Sequence, residues 1–239
     1  MWCIACSAPA SPPGPLCEAC PATLHQAAPR RIRGVEVDAA FAHAGAAARL
    51  VHALKYRGSL SAAAFLAHHM ADTIDPQATC LVPLPRTLAR RLRFGIDPAV
   101  ELCRIVAART DLPVVRALDA PVWSARHAGA ARARRATVAF RRARSVEGHA
   151  VLIDDVVTTG VTVSSAMDMI APCDMSVLAA TSAGTLDQGA ERFPAPGGDV
   201  AQGRSGDHIG QVVRTRTPLR TTEPQHSYAT LHPLRKEDG

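Results

Sequence analysis

The stretch Ala150-Val151-Leu152-Ile153-Asp154-Asp155-Val156-Val157-Thr158-Thr159-Gly160-Val161-Thr162 narrows the fold more than any other part of the chain. Four consecutive apolar residues, Ala150 to Ile153, predict a short strand buried on both faces, as in a parallel sheet. The two carboxylates Asp154 and Asp155 stand where that strand is expected to end. A helical pattern begins at Val161. Strand, loop and helix in that order are half of a βαβ unit, and ligands bind outside the carboxyl ends of such strands. The expected class is therefore α/β, with a mostly parallel central sheet flanked by helices.

The loop chemistry points to a phosphate. Thr158, Thr159 and Thr162 offer hydroxyl donors, and Gly160 allows close approach of backbone N–H groups. The following helix starts with unpaired N–H groups and the positive end of its dipole. Asp154 and Asp155 would repel a phosphate, so they call for donors such as neighbouring ribose hydroxyls. A sugar phosphate would use the whole stretch. An ordinary buried strand with a polar turn is the competing reading, but paired acids beside a hydroxyl-rich turn serve no packing purpose.

Residues 1–20 hold four of the seven cysteines, Cys3, Cys6, Cys17 and Cys20, as two C-x-x-C pairs. In a reduced compartment this spacing reads as a tetrahedral zinc site of four thiolates. The Pro-rich loop between the pairs cannot form a core, so metal would hold the piece together. Disulfides and catalytic thiols are the alternatives. Cys80, Cys103 and Cys173 lie in apolar contexts and read as buried, inert thiols.

Between these two features the pattern is that of an α/β core. A connector over 21–44 carries Arg30, Arg31 and Arg33, and Val35 to Phe41 predicts a strand. Gly45 to Ile74 is helical, broken into two helices at Gly58 and Ser59. At the break stand Lys55 and Arg57, either phosphate contacts or a solvated helix end. His68 and His69 diverge by about 100° on a helix and read as surface residues. Cys80 to Arg86 predicts a buried strand ending in a turn stiffened by Pro83 and Pro85. Residues 98–109 predict a helix, Pro113 to Leu118 a strand, Val161 to Ile170 a helix and Met175 to Thr181 a strand.

Charge is uneven along the chain. The formal net charge is +6, and seven basic and seven acidic residues cancel from Gly184 onward, so the excess lies in residues 1–183. Seven arginines and no acid lie between Arg126 and Arg144. That segment reads as a mobile lid, a nucleic-acid patch or a basic surface helix. Residues 184–239 carry half of the glycines without sustained periodicity, which predicts a disordered tail. No apolar run approaches the ~18 residues of a membrane span. The N-terminus lacks a charged region followed by an apolar one, so no signal peptide is expected and a cytoplasmic setting fits.

All thirteen positions of 150–162 resemble the phosphoribosyl-pyrophosphate (PRPP) signature of type I phosphoribosyltransferases. Residues 1–181 together resemble the ComF family, amidophosphoribosyltransferase-like proteins associated with competence for DNA uptake. The likeness rests on the four-cysteine knuckle, Leu54-Lys55-Tyr56-Arg57-Gly58, Val82-Pro83-Leu84-Pro85, the arginine-rich segment and the PRPP signature. Relatives commonly follow the Pro-x-Pro turn with His and an Arg-Gly-Phe-Asn-Gln-like stretch, where this chain has Arg86 and Arg93-Phe94-Gly95-Ile96-Asp97. Their lid pattern is replaced by His127-Ala128-Gly129-Ala130 and Arg135-Ala136-Thr137-Val138.

The resemblance implies a zinc knuckle over 1–30, a type I phosphoribosyltransferase domain over 31–183 and a tail over 184–239. It implies PRPP bound with Mg²⁺ and phosphoribose passed to an unknown acceptor as pyrophosphate leaves. Asp154 and Asp155 would hold the ribose. Val156, Val157, Thr158, Thr159, Gly160, Val161 and Thr162 would form the PRPP loop, with the hydroxyls and Gly160 on the 5′-phosphate. Leu84, Pro85 and Arg86 would hold pyrophosphate and Mg²⁺, while Cys3, Cys6, Cys17 and Cys20 take Zn²⁺. The alternative is a non-catalytic competence factor that binds single-stranded DNA, works with competence proteins and uses the PRPP pocket as a ligand site.

The absence of periodicity after Gly184 yields a direct expectation. A chain ending at Ala183 keeps the thermal midpoint of the full chain to within a few degrees in a calorimetric scan. A fall of many degrees would show that residues 184–239 pack on the core.

Overall fold

A computed structural model of the chain describes residues 1–122 and 139–184. Most of the arginine-rich segment 126–144 and nearly all of the expected tail lie outside the described residues. The elements are β1 (Arg30–Ile32), β2 (Val35–Ala42), α1 (Gly45–Arg57), α2 (Leu60–Ala71), β3 (Cys80–Pro83), α3 (Leu88–Phe94), α4 (Pro98–Thr110), β4 (Leu118–Asp119), β5 (Arg141–Arg142), β6 (His149–Val157), α5 (Val161–Ile170) and β7 (Asp174–Ser182). The fold is mixed α/β. A five-stranded sheet has the order β1-β2-β7-β6-β3, and only the β1–β2 pair is antiparallel. β4 and β5 form a separate two-stranded ribbon.

Strand β6 lies inside the sheet, paired in parallel with β3 through Cys80–Ala150 to Pro83–Ile153 and with β7 from His149–Asp174 to Val157–Ser182. Successive side chains of a strand leave on opposite faces, and both faces here are covered. Val151 and Ile153 join a core with Leu50, Leu54, Leu66 and Leu102 from α1, α2 and α4. Ala150 and Leu152 join a second core with Val163, Ala166 and Ile170 from α5 and Leu118 from β4. Burial on two faces is why the strand reads as an uninterrupted apolar run rather than an alternating one.

Local signals set the helix boundaries. Gly58, at φ 63°, ends α1 in the left-handed conformation, and the Ser59 hydroxyl accepts the Ala62 N–H to start α2. Asp97 precedes Pro98 at the first position of α4, which suits the fixed φ of proline. Among the described residues, no helix is long and apolar enough to cross a membrane.

The N-terminal loop is joined to this core. Cys3, Ala5, Leu16, Cys17 and Cys20 pack in the same cluster as α1, and Thr23 accepts the Ala46 N–H with its hydroxyl. Gly45 makes that junction fit: a Cβ there would lie 2.4 Å from the Thr23 carbonyl oxygen. The piece therefore has an apolar attachment in addition to its cysteines.

Three expectations differ from the structure, and one helix was not expected. The carboxylates do not follow the strand; β6 runs on to Val157 and contains both, because its pairing with β7 continues to Ser182. The expected strand over 113–118 is reduced to a bridge between Val114 and Leu81, after which the chain leaves the sheet edge. Val114 is exposed there, so no second apolar face holds the segment in register. Helix α3 escapes periodicity because it has only seven residues, three of them arginine. His69 is not a surface residue: its ring packs between Phe41 and Phe65, at 5.0 and 4.9 Å between centroids.

Candidate functional site

The carboxyl ends of β2, β7, β6 and β3 meet at one edge of the sheet, and four of the expected residues converge there. Asp155 is buried. Strand alternation turns its side chain to the α1 face, where Lys55 Nζ stands 3.1 Å from Oδ1. Arg86 enters from the turn after β3, with Nη2 3.9 Å from Asp155 Oδ2 and Nη1 donating to the Lys55 carbonyl at 3.1 Å. Two cations from separate elements thus share one carboxylate. The acid's charge is matched within the protein, and a ligand is not needed to balance it.

Asp154 leaves the strand on the other side of the chain. Its Oδ1 accepts the Asp155 N–H at 2.8 Å. Burial raises its pKa well above the usual carboxylate value, and the neighbouring Asp155 charge adds to that rise. Lys55 and the Asp155 N–H pull the other way without overcoming it. The two acids therefore differ: Asp155 is tied to cations, while Asp154 resists ionisation.

The turn after β6 lies just beyond. Thr158 and Thr159 are exposed, Gly160 is buried, and Val161 and Thr162 are partly covered at the first turn of α5. Gly160 has φ 80°, in the left-handed region, and a Cβ there would lie 2.3 Å from Ile32 Cδ1. Both facts demand glycine. No side chain caps α5, so its first N–H groups stay available at the positive end of the helix. Arg30 braces the turn by donating to the Thr158 carbonyl at 2.7 Å. The turn offers hydroxyls, amides and a dipole end, the donor set of an anion site.

The turn after β3 is held from two sides. Leu84 is buried and donates its N–H to the Ile153 carbonyl at 2.9 Å, so that amide is engaged within the fold. Pro85 is partly covered. Arg86 donates its backbone N–H to Asp97 Oδ2 at 3.0 Å, which fixes the residue whose guanidinium reaches Asp155. Arg57 is not part of this group. It lies two residues beyond Lys55, about 200° around the helix, and lines a cleft of ≈ 580 Å³ with Cys6, Arg49 and His52.

Sequence reasoning missed Asp97, Arg30, His43 and Thr181. Asp97 precedes the helix expected from Pro98, and nothing local signals its hold on Arg86. His43 Nδ1 and Thr181 Oγ1 are 2.8 Å apart although 138 residues separate them in the chain, so only the parallel β2–β7 pairing reveals the contact.

The second group of interest is the cysteine cluster. The sulfurs of Cys3, Cys6, Cys17 and Cys20 all lie within 4.8 Å of one another, and these four residues can hold a metal such as zinc. Cys3 and Cys20 are 3.7 Å apart at sulfur, and Cys6 and Cys17 3.5 Å. A disulfide needs about 2.05 Å, and all four thiols are free. Four thiolates at about 2.3 Å from one ion would lie ~3.8 Å apart along each tetrahedral edge, close to these separations. Burial pushes the Cys3 thiol up, but N–H donors of Cys17, Cys6 and Ala5 outweigh it and bring the value to about 6. Burial drives Cys20 up to about 12, against a single Arg49 donor at 3.5 Å. A cation among the sulfurs removes that conflict by letting all four ionise.

The chain matches no family model, and a search of curated proteins finds none that matches it.

The asymmetry between the two acids predicts how Asp154→Asn behaves. A carboxyl whose folded-state pKa is raised costs the native state stability as pH rises through that value, since the unfolded chain ionises freely. Asn keeps the oxygen that accepts the Asp155 N–H and cannot ionise. The variant's thermal midpoint therefore exceeds that of wild type at neutral pH. The difference grows with pH and vanishes in acid below the ordinary carboxylate range. Midpoints measured across pH check both the sign and the trend.

Proposed function

We propose that this chain is a ComF-like member of the type I phosphoribosyltransferases, binding PRPP with Mg²⁺ at the carboxyl edge of the sheet. One observation carries the reading. Lys55 and Arg86 converge on Asp155 beside an uncapped, hydroxyl-rich helix start, and both features stand at the carboxyl ends of parallel strands. On this reading Thr158, Thr159, Thr162 and the first amides of α5 hold the 5′-phosphate. Asp154 and Asp155 face the ribose hydroxyls. Lys55 and Arg86 then serve twice, compensating Asp155 in the free protein and meeting phosphate oxygens in the complex.

Mg²⁺ would come with the substrate, held mainly by its phosphates and by water, and would neutralise charge on the departing pyrophosphate. The chain's own work is positioning and charge stabilisation. Arg86 is suited to this because Asp97 fixes its backbone and its planar guanidinium can grip an anion through two N–H groups. A product of this kind is a phosphoribosylated acceptor and free pyrophosphate, in a reducing, cytoplasmic setting that also keeps Cys3, Cys6, Cys17 and Cys20 available for zinc.

Two measurements test the reading. Calorimetric titration of the full chain with Mg²⁺–PRPP shows saturable binding, weakened at least about tenfold in Asp155→Asn and in Thr159→Val. Thr159 is exposed, so Thr159→Val leaves the thermal midpoint in place. Asp155→Asn lowers stability by about 1.5–3 kcal/mol, because Lys55 loses its charged partner. Equal affinity in all three proteins would remove the loop from the sugar-phosphate site.

Metal analysis of protein purified without chelator gives one zinc per chain. Chelation lowers the thermal midpoint, since binding free energy at such a site is folding free energy. Zinc-free protein with four free thiols and an unchanged midpoint would contradict the assignment.

A further inference from the structure

The proposed reaction leaves His43 unused. It follows the last residue of β2 and so stands at the carboxyl edge, with Asp155 on β6 and Thr181 on β7 between them in the sheet. His43 is anchored twice. Its N–H on the backbone donates to the Ser182 carbonyl at 2.9 Å, and its ring Nδ1 is 2.8 Å from Thr181 Oγ1.

The contacts of Thr181 bear on which ring nitrogen carries the proton. Thr181 is fully buried and its hydroxyl donates to the Asp155 carbonyl at 3.3 Å. A hydroxyl has one hydrogen, so toward His43 the same oxygen can only accept. With Thr181 donating to Asp155, Nδ1 is the protonated nitrogen. In the neutral ring Nε2 then carries a lone pair without a partner among the described residues, on an exposed residue at the edge where Asp155 and Lys55 meet.

We infer that His43 is the general base of this site, taking the proton of an incoming N–H or O–H nucleophile on Nε2. The inference rests on the phosphoribosyltransferase reading above. In that step the nucleophile's lone pair forms the new bond to C1 of the ribose. The C1–oxygen bond to pyrophosphate breaks, and its electron pair leaves with pyrophosphate. The nucleophile's proton passes to Nε2, giving an imidazolium whose Nδ1–H stays on Thr181.

The surroundings suit a base that is neutral before reaction. Partial burial lowers the His43 pKa below 6.5, and the Lys55 charge on α1 lowers it further. The Asp155 carboxylate on β6 opposes both and is outweighed. The same carboxylate is then placed to favour the imidazolium once the proton has moved.

The test uses the full chain, Mg²⁺–PRPP and water as the nucleophile, with His43→Asn as the variant. Asn keeps a side-chain N–H near the Nδ1 position for Thr181 but has no counterpart of Nε2. Pyrophosphate release by wild type falls as pH drops through the His43 titration. In His43→Asn release is at least about 100-fold slower and loses that pH dependence, while Mg²⁺–PRPP affinity stays within about threefold. Nitrogen NMR of wild type shows the Nδ1–H tautomer and a midpoint below 6.5. In Thr181→Val the tautomer preference shifts toward the ordinary Nε2–H form.

An Nε2–H tautomer in wild type overturns the inference. So does equal release by His43→Asn, or no release by a wild type that binds Mg²⁺–PRPP. Failure of wild type to bind Mg²⁺–PRPP overturns the site reading instead, and the base role with it. Calorimetry separates that failure from the others.

Discussion

A carboxylate buried at the end of an inner strand must find a cation, and the contact between Asp155 and Lys55 answers that demand. Much of the edge follows from it. Lys55 belongs to the last turn of α1, so the pair ties that helix end to β6. Arg86 donates to the Lys55 carbonyl and reaches the same carboxylate, which ties in the turn after β3. Asp97 then holds Arg86 by its N–H and brings the start of α4 to the same place. Three loops that are remote in sequence are set around one charge.

The neighbouring acid shows the cost of the arrangement. Asp154 lies one residue away, with no cation in contact among the described residues, and its carboxyl resists ionisation through burial and the Asp155 charge. Burying a second carboxylate beside the first stabilises nothing in the packing, since an apolar residue would fit a strand covered on both faces. Asp97 carries a similar cost: among the described residues one of its oxygens is buried without a hydrogen-bond partner, and burial raises its pKa. Native structures retain such groups where a ligand or a positioned side chain needs them. Both acids stand within the group of residues that surrounds the carboxyl edge.

What could be read from the sequence was the part governed by local rules. Ala150 to Ile153 announced an inner strand because two covered faces leave no polar position. Gly58 and Ser59 marked the break between two helices through backbone preferences that act over a few residues. The four cysteines announced a metal-type cluster through their spacing. The length of β6 was not legible, because Asp154 and Asp155 look like a strand end and only the pairing with β7 shows otherwise. The partners of His43, Arg30 and Arg86 lie 138, 128 and 31 residues away, and no local preference encodes such contacts. Nor did His69 carry any sign that Phe41 would meet it.

Helix α1 connects the two groups of residues that the fold sets apart. Its Lys55 faces Asp155, while Arg49, His52 and Arg57 line the cleft beside the cysteines. Arg49 donates to the Cys20 sulfur, and the start of the helix is capped from Thr23, three residues past the last cysteine. A four-thiolate metal centre would carry negative charge that Arg49 offsets. The same centre would fix the segment from Cys20 to Thr23 on which Gly45 closes with no room for a side chain. One helix therefore runs from the Thr23 contact at its first turn to Lys55, about three turns on. The cysteine cluster and the carboxyl edge thus share one helix, which meets the first through Arg49 and the second through Lys55.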